Sequence, residues 1–330
     1  MDAGTIDRTS DTASDTTSDT ASDTASDTAS SADVRVERLN QVSVKRFDDA
    51  AELFAGRLGD GQLIPDELLS IAGLGLDLTA DQRRLLSREE LGSILNEGIA
   101  FEAVLMAGFA LQIATSLHAD DPRLTYALHE IGEETRHSRL FAELYRQLSP
   151  TAVNPFAGRI PMMIARFMMK RIIAMPATMY TLVLGGEEIP DLLQKLVSEH
   201  PDSDPHLAAV NRYHRAEEAR HLAFARIELP EVHASASFLD RRSIRTLAPI
   251  IIGVMWEGLI HPGVYETVGL PGMETWNRVR KDPARVALRH EATRPVLAKL
   301  LEAGILRAGR VPRAWRSLCG VDRHGVALAA

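Results

Sequence analysis

Residues 133–137 read Glu-Glu-Thr-Arg-His, and residues 217–221 read Glu-Glu-Ala-Arg-His. Each string contains Glu-x-x-His, as Glu134/His137 and as Glu218/His221. On an α-helix, residues three apart share a face, so the carboxylate and the imidazole come within reach of one small ion. One such pair is half of a dinuclear metal site, and two helices carrying one pair each make the whole. A single copy is weak evidence, because Glu-x-x-His recurs by chance on solvated helix faces. Two copies 84 positions apart (134 to 218), each in an apolar-striped segment, shift the balance to a metal site. The rest of the chain must then supply two more carboxylates, four helices and a dry core.

Working outward, each pair is preceded by a glutamate on an apolar stripe. A first long helix should start near Thr79 or Ser87, both plausible caps, and run to about His118. Leu95, Gly98, Ile99, Glu102, Leu105, Met106 and Phe109 share one of its faces. An unpaired carboxylate there is costly to bury, so Glu102 should be metal-bound, paired or protonated. Glu97 falls on another face. After the turn at Ala119-Asp120-Asp121-Pro122, a second helix to about Leu148 points Tyr126, Glu130, Glu134, His137 and Phe141 inward. A third apolar helix starts near Arg159, with a kink expected at Pro176, and leads onto Glu187; the adjacent Glu188 lies on a more polar line. The fourth, after Pro201–Pro205, carries Leu207, Val210, His214, Glu218, His221 and Ala225 on one face. Arg212, Arg215, Glu217 and Arg220 lie elsewhere, and local pairs of Arg136 with Glu133 and of Arg220 with Glu217 are expected. The order Glu102 … Glu134-x-x-His137 … Glu187 … Glu218-x-x-His221 matches the ligand set of di-iron and di-manganese helical bundles. The fold expected is all-α, a ferritin-like helical bundle with two or three additional C-terminal helices from residues 236–309.

Composition narrows the chemistry. The net charge of −8 and the absence of a Lys/Arg cluster speak against a nucleic-acid partner. The single cysteine, Cys319, rules out an internal disulfide, a zinc finger and an iron–sulfur cluster, and fits a reducing, cytoplasmic setting. Any metal must be held by His and carboxylate, a set that suits iron or manganese. No signal peptide opens the sequence. Ile160–Gly186 carries Arg166, Lys170 and Arg171, and Leu247–Ile260 falls short of the roughly 20 residues a bilayer requires. Both read as buried helices, with no membrane partner. Residues 1–34, built on a Ser-Asp-Thr-Ala repeat, have no large apolar side chains with which to form a core and are expected to be a disordered tail. The metal domain is assigned to 35–310, and 311–330 to a C-terminal tail without clear pattern.

One further residue sharpens the reading. His214 stands one helical turn before Glu218, giving Glu102 … Glu134-x-x-His137 … Glu187 … His214-x-x-x-Glu218-x-x-His221. This seven-residue pattern resembles that of the para-aminobenzoate N-oxygenase (AurF-like) family of di-iron enzymes, in which a third histidine separates the family from ferritins and desaturases. Asn96-Glu97 and Asp120-Asp121-Pro122 are also similar to members of that family. The resemblance spans roughly residues 85–230. It implies a ferritin-like fold, homodimers, two iron ions with O2 as co-substrate, and oxidation of amines. The seven residues are then both metal ligands and catalytic residues of a di-iron monooxygenase. Leu95, Gly98 and Ile99 offer no anchor for a carboxylate substrate. N-oxygenation of an amine therefore stays beside C–H hydroxylation, desaturation and non-catalytic iron binding as readings of the same site. With no nucleotide loop or flavin motif, electrons are expected from a separate donor or reductase.

Overall fold

The computed structural model describes residues 30–45 and 50–328. Residues 1–29, most of the repeat assigned to a tail, lie outside this description. The described residues are helical, with a lone antiparallel bridge between Val321 and Ala327.

Four long helices make the frame: α3 (Ala80–Thr115), α4 (Pro122–Leu148), α6 (Pro176–Glu199) and α7 (Pro205–Ser235). Their starts are written locally. Thr79 and Gln82 form a reciprocal capping box on α3. Asp121 and Asp204 cap α4 and α7, each followed by a proline at the first helical turn, where its missing N–H costs nothing. α3 packs on α4 and α6 on α7, so the two Glu-x-x-His helices come from different pairs and face each other across the bundle.

Two apolar clusters fill the frame. One gathers Phe109, Tyr126, Tyr180, Phe224, Ile252 and Trp256; the other gathers Leu91, Leu95, Leu140, Phe141, Val210 and Tyr265. On α3, α4 and α7 the segments between the clusters carry Glu102, Glu130–His137 and His214–His221. A polar layer is thus sealed on both sides by hydrocarbon. At the same level α6 is stripped of side chains: the Phe101 ring lies against Gly186, where a Cβ would come within 1.7 Å of the ring, and Ile252 lies against Gly185.

The structure departs from the sequence reading in five places. Ile160–Gly186 is not buried throughout, since Met163, Ile164 and Phe167 are exposed. Pro176 does not kink one helix; it starts α6 after a separate α5 (Arg159–Ile173), and the two are bent by 114°. Residues 31–34 are not tail but the first turn of α1 (Ser31–Lys45), which places Ala32 and Val36 in the core. The region 236–309 holds more helices than two or three: α8 (Phe238–Thr246), α9 (Ala248–Gly258), α10 (Gly263–Glu266), α11 (Gly272–Val279) and α12 (Pro283–Glu302). The segment 311–330 is not a plain tail, since α13 (Arg313–Cys319) buries Trp315 completely and donates its indole N–H to the Ile244 carbonyl. Between α1 and Gly56 the described residues form the short α2 (Ala51–Ala55), and 46–49 lie outside the described residues.

Candidate dinuclear metal site

All seven predicted residues are buried: Glu102, Glu134, His137, Glu187, His214, Glu218 and His221. They converge. Glu102, His137 and His214 offer donor atoms that lie within 4.8 Å of one another, as do Glu134, His137 and Glu218. A third group of the same tightness joins Glu134 and His221 to Glu130. Two carboxylates reach both ends of the layer. Glu134 stands 3.4 Å from His137 Nδ1 and 3.0 Å from His221 Nδ1. Glu218 stands 3.1 Å from His137 Nδ1, 3.5 Å from His214 Nε2 and 2.8 Å from His221 Nδ1. Glu187 faces Glu218 and Glu134, whereas Glu188 turns outward to Arg226.

Each histidine aims one nitrogen inward and is held from behind by the other. His137 Nε2 meets Glu217 at 2.8 Å, His221 Nε2 meets Glu133 at 2.8 Å, and His214 Nδ1 meets Gln194 at 3.0 Å. Ser138 donates to Glu102 at 2.6 Å. Such outer partners fix the ring and leave the inner nitrogen for a metal. The first glutamate of each Glu-Glu-x-Arg-His string therefore supports the histidine of the other string.

The arginines follow the same crossing. Arg220 pairs with Glu133 at 2.6 Å and with its local Glu217 at 3.6 Å. Arg136 lies 3.3 Å from Glu217 and 3.8 Å from its local Glu133. The expected local pairs are thus the longer contacts, and Glu217 and Arg220 are buried rather than off the site. Sequence reasoning missed Glu133, Glu217 and Gln194 as histidine partners. The repetition of Glu-Glu in both strings was the one signal that pointed to the first two.

Charge balance shows what the layer lacks. Burial holds the Glu102 and Glu187 carboxyls above the usual range and pushes Glu130 up to about 8. Burial works the same way on Glu218, yet His221 and His214 beside it outweigh that and hold it well below. Glu217 is likewise drawn down to about 2, burial being overcome by its hydrogen bond to His137. His137 and His221 respond in the opposite sense: burial disfavours their cations, but the surrounding carboxylates raise them well above the ordinary imidazole value. The layer demands positive charge from its interior.

Its inward atoms are also unsatisfied. Among the described residues, both oxygens of Glu134, one of Glu218 and Nδ1 of His137 are buried without a hydrogen bond, although they sit 3.0–3.4 Å from neighbouring donor atoms of the site. Close, unbonded, oppositely charged donors are what ions shared between them would satisfy. The donor set, carboxylate and imidazole without thiolate, fits two iron or manganese ions. Glu102, His137 and His214 would hold one, Glu187 and His221 the other, and Glu134 and Glu218 would lie between.

Of the tyrosines on the inward stripes, Tyr180 donates to Gln112 at 3.0 Å as an ordinary core residue. The Tyr126 hydroxyl has no hydrogen-bond partner.

A family model described as P-aminobenzoate N-oxygenase AurF matches residues 36–304. An uncharacterized protein of Mycobacterium tuberculosis is 26% identical over 177 residues, covering 52% of this chain and 49% of its own length. An uncharacterized protein of Mycobacterium bovis matches to the same extent. The chain thus spans about half the length of the curated relatives it matches. No solved structure matches it.

Proposed function

We propose, from the premise that this chain belongs to the AurF family of P-aminobenzoate N-oxygenases, that it is a di-iron oxygenase which uses O2 to oxidise the nitrogen of a small, largely apolar amine. The observation that carries this reading is the set of buried, mutually close, unbonded donor atoms on Glu134, His137 and Glu218. Two bound irons would supply the electrons that open dioxygen to chemistry. The protein's part is to hold Glu102, His137 and His214 on one side and Glu187 and His221 on the other, to keep each imidazole turned inward, and to exclude water with the two apolar clusters.

Substrate class follows from what the site lacks. Arg136 and Arg220 reach it but are engaged by Glu217 and Glu133, so neither is left to clamp a substrate carboxylate. Phe141 stacks on His214 at 4.9 Å between ring centroids, and Leu95 belongs to the same apolar cluster as Phe141. An apolar amine suits these walls better than an acidic one. The same walls support C–H hydroxylation or desaturation as a second reading. Insertion of one oxygen atom leaves the other to become water and consumes two external electrons and two protons. With Cys319 as its single thiol the chain has no means to form an iron–sulfur relay, so a separate donor protein is part of the proposal.

Anaerobic loading with ferrous iron, followed by elemental analysis, tests the metal part. Two ions per chain are expected, and a single ion or a retained tetrahedral zinc would sink the dinuclear reading. Oxygen uptake by the loaded protein is then measured against apolar arylamines, benzoate-bearing amines and hydrocarbons. Uptake coupled to N-oxygenated product supports the amine reading, and uptake with hydroxylated or unsaturated product moves the assignment to carbon.

A further inference from the structure

Glu130 stands outside the seven-residue pattern, one helical turn before Glu134 on α4. Its side chain is 1% exposed, and neither carboxylate oxygen has a hydrogen-bond partner among the described residues. An ionisable group so placed is expensive unless something pairs with it. Arg123, two turns back on α4, and Arg220, next to His221 in the sequence, are committed elsewhere, the first to Glu228, Asp121 and Asp33 and the second to Glu133. Tyr126, a further turn back, does not serve either, because its own hydroxyl is without a partner. What Glu130 does face is the layer: one of its oxygens, one oxygen of Glu134 and one nitrogen of His221 all lie within 4.8 Å of one another.

We infer that Glu130 is an eighth metal donor, a fifth carboxylate on the ion held by His221. This rests on the dinuclear reading above and goes beyond the seven-residue pattern. Its consequence is electrostatic. Glu102, Glu130, Glu134, Glu187 and Glu218 bring five negative charges to one buried volume. Two divalent ions bring four positive charges, which leaves one negative charge in excess, and two trivalent ions six, which leaves one positive, so the fifth carboxylate is attracted more strongly to the oxidised pair. Glu130 therefore stabilises the oxidised pair relative to the reduced pair, and lowers the potential at which an external donor must deliver electrons.

The test uses the full chain as wild type and as Glu130→Gln, Glu130→Ala and Glu97→Gln. Manganese and ferrous iron are titrated in competition with a chelator, and each metal-free protein is melted in parallel. Wild type and Glu97→Gln are expected to bind two ions, while both Glu130 variants keep one ion at wild-type affinity and hold the second about 10–100-fold more weakly. Metal-free Glu130→Gln should melt no lower than wild type, because an amide of the same shape replaces a buried carboxyl that has no hydrogen-bond partner among the described residues. The midpoint potential of its iron pair should rise. Two ions held at wild-type affinity and potential in Glu130→Gln would overturn the inference and leave the dinuclear reading untouched. A clear fall in the melting temperature of the metal-free variant would overturn it too, making Glu130 a structural group. Fewer than two ions in wild type would remove the dinuclear reading, and this inference with it.

Discussion

At the scale of single residues, the site is governed by which way three imidazoles face. His214 separates this pattern from a plain four-carboxylate, two-histidine bundle, and its Nε2 points at Glu102, 3.4 Å away. The ion on the Glu102 side should therefore be the one that depends on it. Replacing His214 by Phe fills the space beside Phe141 and keeps a helix-compatible side chain, so the fold should persist. The affinity for one of the two ions should fall at least 10–100-fold, by analogy with the loss of outer partners. Chelator competition reads this directly, and two ions held as in wild type would make His214 a bystander. A second prediction concerns the crossed supports. Glu217→Gln should weaken the ion near His137, and Glu133→Gln the one near His221, each by about 10-fold or more. Equal losses of both ions in either variant would mean that the four-residue network acts as a general brace rather than through individual rings. That the seven side chains face one buried layer was legible in the sequence because spacing on a helix dictates facing. The crossed supports were not. Sequence spacing offers Arg136 to Glu133 and Arg220 to Glu217, yet the partners across the bundle lie closer, and only tertiary packing decides between them.

At the scale of elements, α3 and α6 each carry a feature with a measurable cost. Gly186 lets the Phe101 ring lie on the α6 backbone immediately before Glu187. Gly186→Ala forces that ring to move and should destabilise the protein by about 1–3 kcal/mol. A lower melting temperature accompanied by weakened metal binding is expected, since Glu187 is displaced with its helix. Further along α3, Glu90 is buried and accepts hydrogen bonds from the Ser70 amide and hydroxyl, with Tyr265 beside it. Burial pushes its carboxyl up to about 7 from an ordinary 4.5. A raised folded value means that the native state holds the proton more tightly. The stabilisation is complete below about pH 4.5 and is lost as pH rises to about 7, with little change beyond, a total of roughly 3 kcal/mol. Melting curves of wild type and Glu90→Gln across that range should converge in acid and separate near neutrality, with the variant the more stable. Parallel curves would show that Glu90 does not titrate there. The beginnings of the long helices were legible because Thr79, Asp121 and Asp204 announce them. The corner at Pro176 was not, since a proline that opens a helix and one that kinks it look alike when apolar residues continue on both sides. Nor were the late helices: α10 and α13 are too short for periodicity to show, and Trp315 docks through a partner, Ile244, seventy-one positions away.

At the scale of the whole molecule, the unresolved balance is apolar surface. On α5, Met163, Ile164 and Phe167 are 65%, 56% and 64% exposed, and Val153, Phe156, Leu111, Leu128, Ile250 and Val254 add more. α3 is long and apolar enough to cross a membrane by length and composition, a segment the sequence reading had not weighed, and its most apolar stretch is only 22% buried. The helices that expose this surface are α3 and α4, which carry Glu102, Glu134 and His137, α5, which leads into the helix of Glu187, and α9. Two occupants compete for it, a second copy and a lipid surface. We favour the second copy. Soluble chains seldom leave so much hydrocarbon uncovered, and a two-fold interface hides the same patch on both partners at once. Sedimentation equilibrium at micromolar concentration should give twice the chain mass. The double change Ile164→Glu and Phe167→Glu should give single chains that still bind two metals, because neither side chain is part of the polar layer. Wild type that sediments as single chains in detergent and floats with anionic vesicles would assign the surface to a membrane. Single chains in plain buffer, without vesicle binding, would leave both occupants without support. A dimer that persists in the double variant would place the contact on the exposed face of α9, where Ile250 and Val254 are the next residues to change.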